Sequence, residues 1–414
     1  MSARAVRGEA RRAVPGMRSR VSKAGLGAFL GIALIVGSGQ AAQAVTLPSE
    51  HSSPGAYQAN GQVRALLTAG NHLWIGGAFD HLLTPAGGTG PVAPGIAALD
   101  PNSGDPVGGV NLPSLGGKGR FVYDFSQGPN GILYVAGKFT YQVGGHTYQN
   151  LIGIDPQTGA IRASFNTPEL RSVYATSNSV LVGGSAMWAY AFGGARIGGF
   201  SPIVPKINQS IRGHNTPAQI RDIGVSGGWG YAVGQFDSIN NKPAKVAIRF
   251  DPSNGHVDTW NLAGLTANSA AFGIQLVLSG PTLFVAAGGS DFTASYSAAN
   301  GSQNWKTDTS GSTQDIAIWD QDTLIIGGHF DWVAQNGGSQ QCGDNEHPNM
   351  QCLHQPKLSA LSIQNGKVDV TWRPQICCLY NGVWILNVDN GRLNVGGQFT
   401  KAGGRNAKYY AMFD

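Results

Sequence analysis

Gly76-Gly77-Ala78-Phe79-Asp80 follows the apolar run His72-Leu73-Trp74-Ile75, and this pairing of an apolar run with a Gly-Gly-x-Phe motif recurs along the chain. The clear copies are Ala136-Gly137-Lys138-Phe139-Thr140, Val233-Gly234-Gln235-Phe236-Asp237, Gly327-Gly328-His329-Phe330-Asp331 and Gly396-Gly397-Gln398-Phe399-Thr400. Weaker copies are Gly183-Gly184-Ser185 and Val285-Ala286-Ala287-Gly288. Seven copies at a mean spacing of about 53 residues indicate a repeat architecture.

Each copy predicts four short strands. An apolar strand is followed by a Gly- or Asn-rich hairpin turn such as Gly70-Asn71, and a second strand ends in the motif. The third strand ends in Asp-Pro, as at Asp100-Pro101, and the fourth ends on an aromatic residue such as Trp260. We expect the motif glycines to permit a close backbone approach or a bulge, and the Phe to fill the core. The chain is therefore predicted to be all-β, a single β-propeller of seven four-stranded blades. Six or eight blades stay open, because the third and fifth copies depart from the pattern.

The two ends of the chain predict how the propeller closes. The last copy stops at Asp414, which aligns with Asp100, so this copy contains three strands and no fourth. An N-terminal segment at about 46–57 precedes the first copy, and its Tyr57 aligns with the aromatic residues that end fourth strands. We predict that this segment completes the last blade and removes an open sheet edge. The propeller domain then spans residues 45–414.

Residues 1–44 are predicted to be a signal peptide. A basic region ends at Lys23, an apolar segment runs from Ala24 to Val36, and Ala42-Gln43-Ala44 is a small-x-small cleavage site. A retained signal anchor is the alternative, although the apolar segment is shorter than the roughly 20 residues that span a bilayer. We expect a secreted protein, extracellular or associated with the cell envelope, with no membrane segment after cleavage.

The charge of the chain lies mainly in that leader. Residues 1–44 hold seven of the 28 Lys and Arg and one of the 23 Asp and Glu, so the remainder has a net charge of −1. This balance argues against nucleic acid as a partner. Charged residues make up only 12% of the chain, and Gly contributes 61 of its 414 residues, which suits short strands and tight turns. We expect a monomer.

Four cysteines lie in the predicted exported part, and an even number in an oxidising compartment predicts disulfides. We favour Cys342–Cys352, which closes a short loop inside an insertion at about 334–356. The adjacent Cys377 and Cys378 either form a vicinal bridge or pair elsewhere. Metal binding with His347 and His354 is an alternative, but the spacing fits no standard zinc pattern. We therefore predict no metal and no cofactor.

The repeat resembles one known family. The apolar strand, the Gly-Gly-x-Phe motif, a Gly-Gly pair in the next loop (Gly144-Gly145), the Asp-Pro turn and a closing aromatic residue are similar to the secreted bacterial delta-60-type repeat β-propellers. This resemblance covers nearly all of residues 45–414 and implies a propeller fold and export, but no particular function. A weaker likeness to quinoprotein-type propeller repeats rests on Asp155-Pro156-Gln157-Thr158-Gly159.

Candidate functional residues lie where the loops around the second strand open on one face. An Asp recurs at the start of the first strand in three copies, as Asp124, Asp222 and Asp315, and Arg221 and Gln314 precede two of these. A second set lies in or beside the Gly-Gly-x-Phe motif: Lys138, Gln235, His329, Asp331 and Trp332. The repeated Asp residues are more typical of backbone capping than of chemistry, so the residues that do not repeat carry more functional information.

Two functions are consistent with these patterns. The first is a secreted propeller that acts as a binding or scaffold module for a polysaccharide, a cell-envelope component or a protein. The second is a secreted carbohydrate hydrolase or lyase that uses Asp residues at the channel mouth, since glycosidases need two carboxylates about 5–9 Å apart. No metalloprotease, phosphate-loop or dinucleotide motif is present, and we do not predict an enzyme. The ligand is expected to be a glycan or a protein.

Overall fold

The structure is a computed structural model that describes residues 46–208, 217–265, 269–336, 342, 351–379 and 381–414. Every regular element in these residues is a β-strand. None of them belongs to a helix with the length and hydrophobicity that a membrane span requires. The predicted signal peptide, residues 1–44, lies outside the described part of the chain.

Seven antiparallel sheets of three or four strands follow one another along the described residues. Each is made of strands that are neighbours in sequence, apart from the short strands of the intervening loops. Sheet 1 contains Val63–Ala69, His72–Gly77 and Ile96–Leu99; sheet 2 contains Gly116–Gln127, Leu133–Val143, His146–Ile154 and Ile161–Ser164; sheet 3 contains Leu170–Ala175, Val180–Gly184 and Met187–Tyr190; sheet 4 contains Gln219–Ser226, Trp229–Gln235 and Ala247–Phe250. Sheet 5 contains Phe272–Ser279, Thr282–Gly288, Phe292–Ser297 and Gln303–Asp308; sheet 6 contains Thr313–Ile318, Thr323–Gly328 and Leu358–Ser362; sheet 7 contains Gly382–Asp389, Arg392–Gln398 and Tyr410–Phe413.

The predicted fourth strand is complete only in sheets 2 and 5. In the other five sheets a single bridge pair lies beside the third strand: Leu99 with Pro106, Tyr190 with Arg196, Phe250 with Val257, Leu361 with Val368, and Phe413 with Ser52. The fourth position is the outer edge of each sheet, where a short or Pro-containing segment exposes few unpaired backbone groups. The sequence pattern therefore overstates the length of this strand.

The N-terminal segment lies along the third strand of sheet 7. The backbone N–H groups of Ser49 and Ser53 donate to the carbonyl oxygens of Asp414 and Met412, both at 2.7 Å. The Trp372 Nε1–H donates to the carbonyl of Pro48 at 2.8 Å. The first two bonds join residues near the start of the described chain to its last strand and to Asp414 directly after it. The third joins them to Trp372, which lies between sheets 6 and 7 in sequence.

The hydrophobic core lies between neighbouring sheets. The first strand of each sheet contacts the first strand of the next, and that of sheet 7 contacts that of sheet 1. The first Gly of a motif leaves room for an apolar side chain of the following sheet, as in the pairs Gly76 with Val122, Gly183 with Ile220, Gly327 with Val383 and Gly396 with Val63. The motif Phe residues are buried as predicted: Phe79, Phe139, Phe236, Phe330 and Phe399.

The second Gly of each motif allows the close backbone approach that the sequence predicts. A Cβ added to Gly77 would overlap with the carbonyl oxygen of Gln62, and one added to Gly234 would overlap with that of Gln219. Directly after this approach the first strand contains one extra residue, which is a β-bulge. The same register shift occurs in all seven sheets.

Short hairpins extend from the loops that follow several second strands. They form four small sheets: Gln58–Ala59 with His81–Leu83 and Thr89–Val92; Pro205–Lys206 with Ser238–Ile239 and Lys242–Pro243; Trp332–Ala334 with Cys352–His354; and Ile376–Cys377 with Lys401–Ala402 and Arg405–Asn406. The Trp332–Ala334 hairpin begins the predicted insertion at 334–356, of which residues 337–341 and 343–350 lie outside the described part.

Candidate functional site

One residue per sheet occupies the bulge of the first strand, and we call these seven the bulge residues. They are Arg64, Tyr123, Arg171, Arg221, Ile274, Gln314 and Trp384, in the order of sheets 1 to 7. All seven lie where the first strand passes the Gly-Gly-x-Phe end of the second strand. The backbone repeats at this position while the side chain varies: three sheets contribute an arginine, and the other four contribute Tyr123, Ile274, Gln314 and Trp384.

Arginine and aromatic side chains of the bulge residues stack on one another across sheet boundaries. The Arg64 guanidinium lies 3.4 Å from the ring centroid of Trp384 in sheet 7 and 5.4 Å from that of Phe121 in sheet 2. Phe121 stacks on Tyr123 with 4.5 Å between centroids, and Arg171 lies 4.0 Å above the Tyr123 ring. A continuous series of cation–π contacts and one aromatic stack therefore connects sheets 7, 1, 2 and 3.

Arg221 continues the positive charge into sheet 4. Its guanidinium lies 4.9 Å from the Phe272 ring and donates to Gln235 Oε1 at 2.9 Å. Burial, together with repulsion from Arg171 and Arg64, lowers the pKa of Arg221 to about 10. Burial, with repulsion from Arg171, likewise lowers the pKa of Arg64 to about 10. Both groups stay protonated at neutral pH, so three positive charges influence one another here.

The three repeated Asp residues hold neighbouring sheets together. Asp124 Oδ2 accepts the backbone N–H of Val173 at 2.8 Å, and Asp315 Oδ2 accepts that of Leu386 at 2.6 Å. Asp222 Oδ2 accepts the N–H of Leu276 at 3.0 Å and is 1% exposed. In each case the donor belongs to the first strand of the following sheet. The carboxylates are therefore buried between sheets and support the scaffold, as the capping interpretation expects.

Three other predicted residues lie around the bulge residues. Gln235 is buried and accepts the hydrogen bond from Arg221. His329 packs edge-on against Trp384 with 4.5 Å between centroids, and burial, aided by Lys357 and Arg64, lowers its pKa to about 4. Lys138 is exposed and pairs in register with Phe121. The structure thus brings part of the predicted site together with residues that the prediction did not include.

Asp331 and Trp332 contact residues other than the bulge residues. Asp331 pairs with Lys357 at 2.9 Å. Trp332 packs against His354 with 4.8 Å between ring centroids and adjoins the cluster that contains Cys342 and Cys352. Of the two roles open for Trp332, sugar contact and packing of the insertion, these contacts favour packing.

The four cysteines form two disulfides. Cys342 and Cys352 are bonded, which confirms the favoured pairing. Cys377 and Cys378 form the vicinal bridge rather than pairing elsewhere. Within the described residues, no group of three or more His, Cys, Asp or Glu side chains is arranged to hold a metal ion.

A shallow cavity of about 210 Å³ lies elsewhere, between the N-terminal segment and sheet 7. It is lined by Ser52, Gln58, Arg405 and Tyr410, among others, and by none of the predicted site residues. The cavity lies where the N-terminal segment packs on sheet 7, so we assign it to the scaffold. The bulge residues remain the better candidate site.

Arg64, Tyr123, Arg171 and Trp384 were not predicted from the sequence. Each occupies the first-strand position that lies directly before the repeated Asp in the copies that have one, as Tyr123 does before Asp124. An alignment of the seven first strands would have shown a variable column beside a repeated one. The prediction instead followed the Gly-Gly-x-Phe motif, which marks the second strand.

No protein-family model and no curated protein sequence matches this chain. Solved structures do match. The structure of U3-55K aligns with a TM-score of 0.52 at 8% identity, covering 86% of this chain and 98% of that one. The crystal structure of RRP9 WD40 repeats aligns with a TM-score of 0.52 at 8% identity, covering 89% and 99%. The chain has a β-propeller fold. Identities this low carry the fold alone, so the delta-60 resemblance stays a prediction.

Proposed function

We propose that this protein is an exported β-propeller that binds a polysaccharide, a cell-envelope component or a protein, and acts as a binding or scaffold module. The main support for this proposal is the set of bulge residues. The backbone repeats at this position in all seven sheets, so seven side chains of varying type lie at equivalent places on one face. Conserved geometry with variable side chains suits recognition, because the scaffold fixes where each group lies. The alignment with the RRP9 WD40 repeats supports the propeller fold on which this proposal depends.

The architecture we propose is a ring of seven blades that the N-terminal segment closes by completing blade seven. Three observations support it: the seven consecutive sheets, the contact between the first strands of sheets 7 and 1, and the hydrogen bonds from Ser49 and Ser53 to the last strand. In such a ring the bulge residues surround the mouth of a central channel.

Export is proposed from the signal-like residues 1–44 together with the two disulfides, since such bonds persist mainly in oxidising compartments. Mass spectrometry of protein recovered from the culture medium tests it. We expect a mature N-terminus at Val45, and full-length protein retained inside the cell would contradict export.

The hydrolase or lyase alternative loses the residues on which it was based. Asp124, Asp222 and Asp315 accept backbone N–H groups between sheets, and their exposed fractions are 7% or less. Carboxylates fixed in this way are poorly placed to exchange protons with a substrate.

Binding is tested by presenting residues 45–414 to an array of glycans, envelope polymers and envelope proteins, and by following any retained polymer for shortened products. We expect retention without shortening. Retention of nothing would refute the binding module, and steady release of shortened polymer would favour the enzyme. A His329→Ala variant reports whether the bulge face is the surface used, because this ring packs on Trp384.

A further inference from the structure

Three of the seven bulge residues are arginines, and among the described residues only one of the three forms an ion pair. Arg171 pairs with Glu169 at 2.8 Å. Arg64 and Arg221, by contrast, take part in none of the ion pairs formed among the described residues. Both side chains are half-buried, and withdrawing a charge from water without pairing it with an opposite charge is costly.

Unused hydrogen-bond donors accompany this charge. The Nε atoms of Arg64 and Arg221 are buried, and neither has an acceptor among the described residues. Most buried polar atoms have a partner, so each exception calls for an explanation such as a bound ion or ligand. Stacking on Trp384 and Phe272 holds the two guanidinium planes in place and leaves their edges for an in-plane acceptor.

The neighbouring carboxylates are already engaged. Asp331 pairs with Lys357, and Asp222 and Asp315 accept backbone N–H groups between sheets. Lys138, beside Phe121, adds an exposed cation to the same face. Repulsion among Arg64, Arg171 and Arg221, which helps to lower the pKa values of Arg64 and Arg221 to about 10, shows that their fields overlap.

We propose that the bulge residues bind the oxyanion groups, carboxylate or phosphate, of an acidic polysaccharide, with Arg64 and Arg221 as the principal donors. This inference rests on the binding function proposed above. Arginine recognises carboxylate and phosphate groups through paired N–H donors. The aromatic rings that lie between the arginines suit the faces of sugar rings. The side-chain amides of Gln235 and Gln314 suit sugar hydroxyl groups. Both features favour a polysaccharide over a flexible acidic peptide.

Titration calorimetry on residues 45–414 tests this inference with four probes. They are oligogalacturonate, its carboxyl-reduced neutral counterpart, a phosphomannan oligosaccharide and polyglutamate. We expect oligogalacturonate, phosphomannan or both to bind, which also distinguishes the carboxylate source from the phosphate source. The affinity should fall as salt rises, because exposed charge pairs are screened. The neutral counterpart should bind about tenfold more weakly or worse.

The decisive variants are Arg64→Gln and Arg221→Gln, each expected to weaken binding about tenfold or more. Arg64→Lys keeps a charge, so it supplies a folded comparison if Arg64→Gln proves unstable. Arg249→Gln is the matched control: this arginine also stacks on an aromatic ring, Trp229, but at the hairpin end of sheet 4 opposite the bulge.

The possible outcomes distinguish failure of the acidic-polysaccharide site from failure of the proposed binding function. Equal binding of charged and neutral oligosaccharides, or unchanged affinity in both glutamine variants, would overturn the inference and leave the binding module standing. Tighter binding of polyglutamate than of either acidic polysaccharide would overturn it in favour of an acidic protein. A protein that retains no glycan, envelope polymer or envelope protein at all would remove the proposed function itself.

Discussion

At the residue scale, two neighbours in one strand perform different tasks. Asp222 points between sheets and accepts the backbone N–H of Leu276, whereas Arg221 in the bulge stacks on Phe272 and contacts Gln235. The bulge separates the two because it turns one side chain away from the alternation of the strand. The same division applies in sheet 6, where Asp315 bonds to sheet 7 and Gln314 occupies the bulge.

We predict that Asp315→Ala lowers the free energy of unfolding by about 1–3 kcal/mol, because the N–H of Leu386 is left buried without this acceptor. Urea denaturation followed by fluorescence measures the change. Ligand affinity per folded molecule should not change. An undiminished stability combined with lost binding would instead place this carboxylate in the binding site.

His329 gives a pH dependence whose sign follows from its environment. Its pKa in the folded protein is about 4, below the usual 6.5, because of burial and of Lys357 and Arg64 nearby. As the pH falls below 6.5 the unfolded chain takes up a proton that the folded state takes up only near 4, so stability is lost across that window.

We therefore expect His329→Gln to lose less stability than the parent protein between pH 7 and pH 4.5. Urea unfolding at both values measures it for the two proteins. If the two lose stability equally, the imidazole of His329 is not held neutral by its surroundings.

At the element scale, the Gly-Gly-x-Phe motif joins two functions in one hairpin. Its first Gly admits an apolar side chain of the next sheet, and its second Gly lets the first strand approach closely before it bulges. The sequence predicted the strands, the close approach and the buried Phe from residue types alone. Among the bulge residues it singled out only Arg221 and Gln314, because a bulge is defined by pairing register and carries no residue type of its own.

Gly77→Ala should destabilise the protein by roughly 1–3 kcal/mol, since its Cβ would overlap with the carbonyl of Gln62, which is backbone and cannot move aside alone. Thermal unfolding measures the effect. Gly108→Ala is the control, because an added Cβ there meets nothing within 4 Å. Equal melting temperatures for the two variants would show that the close approach is not required.

At the scale of the whole molecule, the segment that contains Ser49 and Ser53 meets the last strand on sheet 7. Ser49, Ser53 and Pro48 bond to residues more than 300 positions away in sequence. The sequence predicted this meeting from the missing fourth strand of the last copy. It overestimated the fourth strands elsewhere, because the outer edge of a sheet is set by loop geometry more than by the apolar pattern.

Deleting residues 46–57 should lower the melting temperature by about 5 °C or more, because it exposes the edge of sheet 7 and removes its long-range hydrogen bonds. Gly55→Ala, a change in the same segment at a Gly with open space around it, serves as the control. A deletion variant that melts with the parent protein would argue against closure by this segment.

In this protein the repeated residues build the scaffold and the bulge residues between them bind the ligand. Comparing Arg221→Gln with Asp222→Asn for both oligogalacturonate affinity and urea stability separates these two roles. We expect Arg221→Gln to lose about tenfold or more in affinity with little loss of stability, and Asp222→Asn to lose about 1 kcal/mol or more of stability with its affinity retained. The reverse pattern, with affinity lost at Asp222 and stability lost at Arg221, would contradict this division of roles.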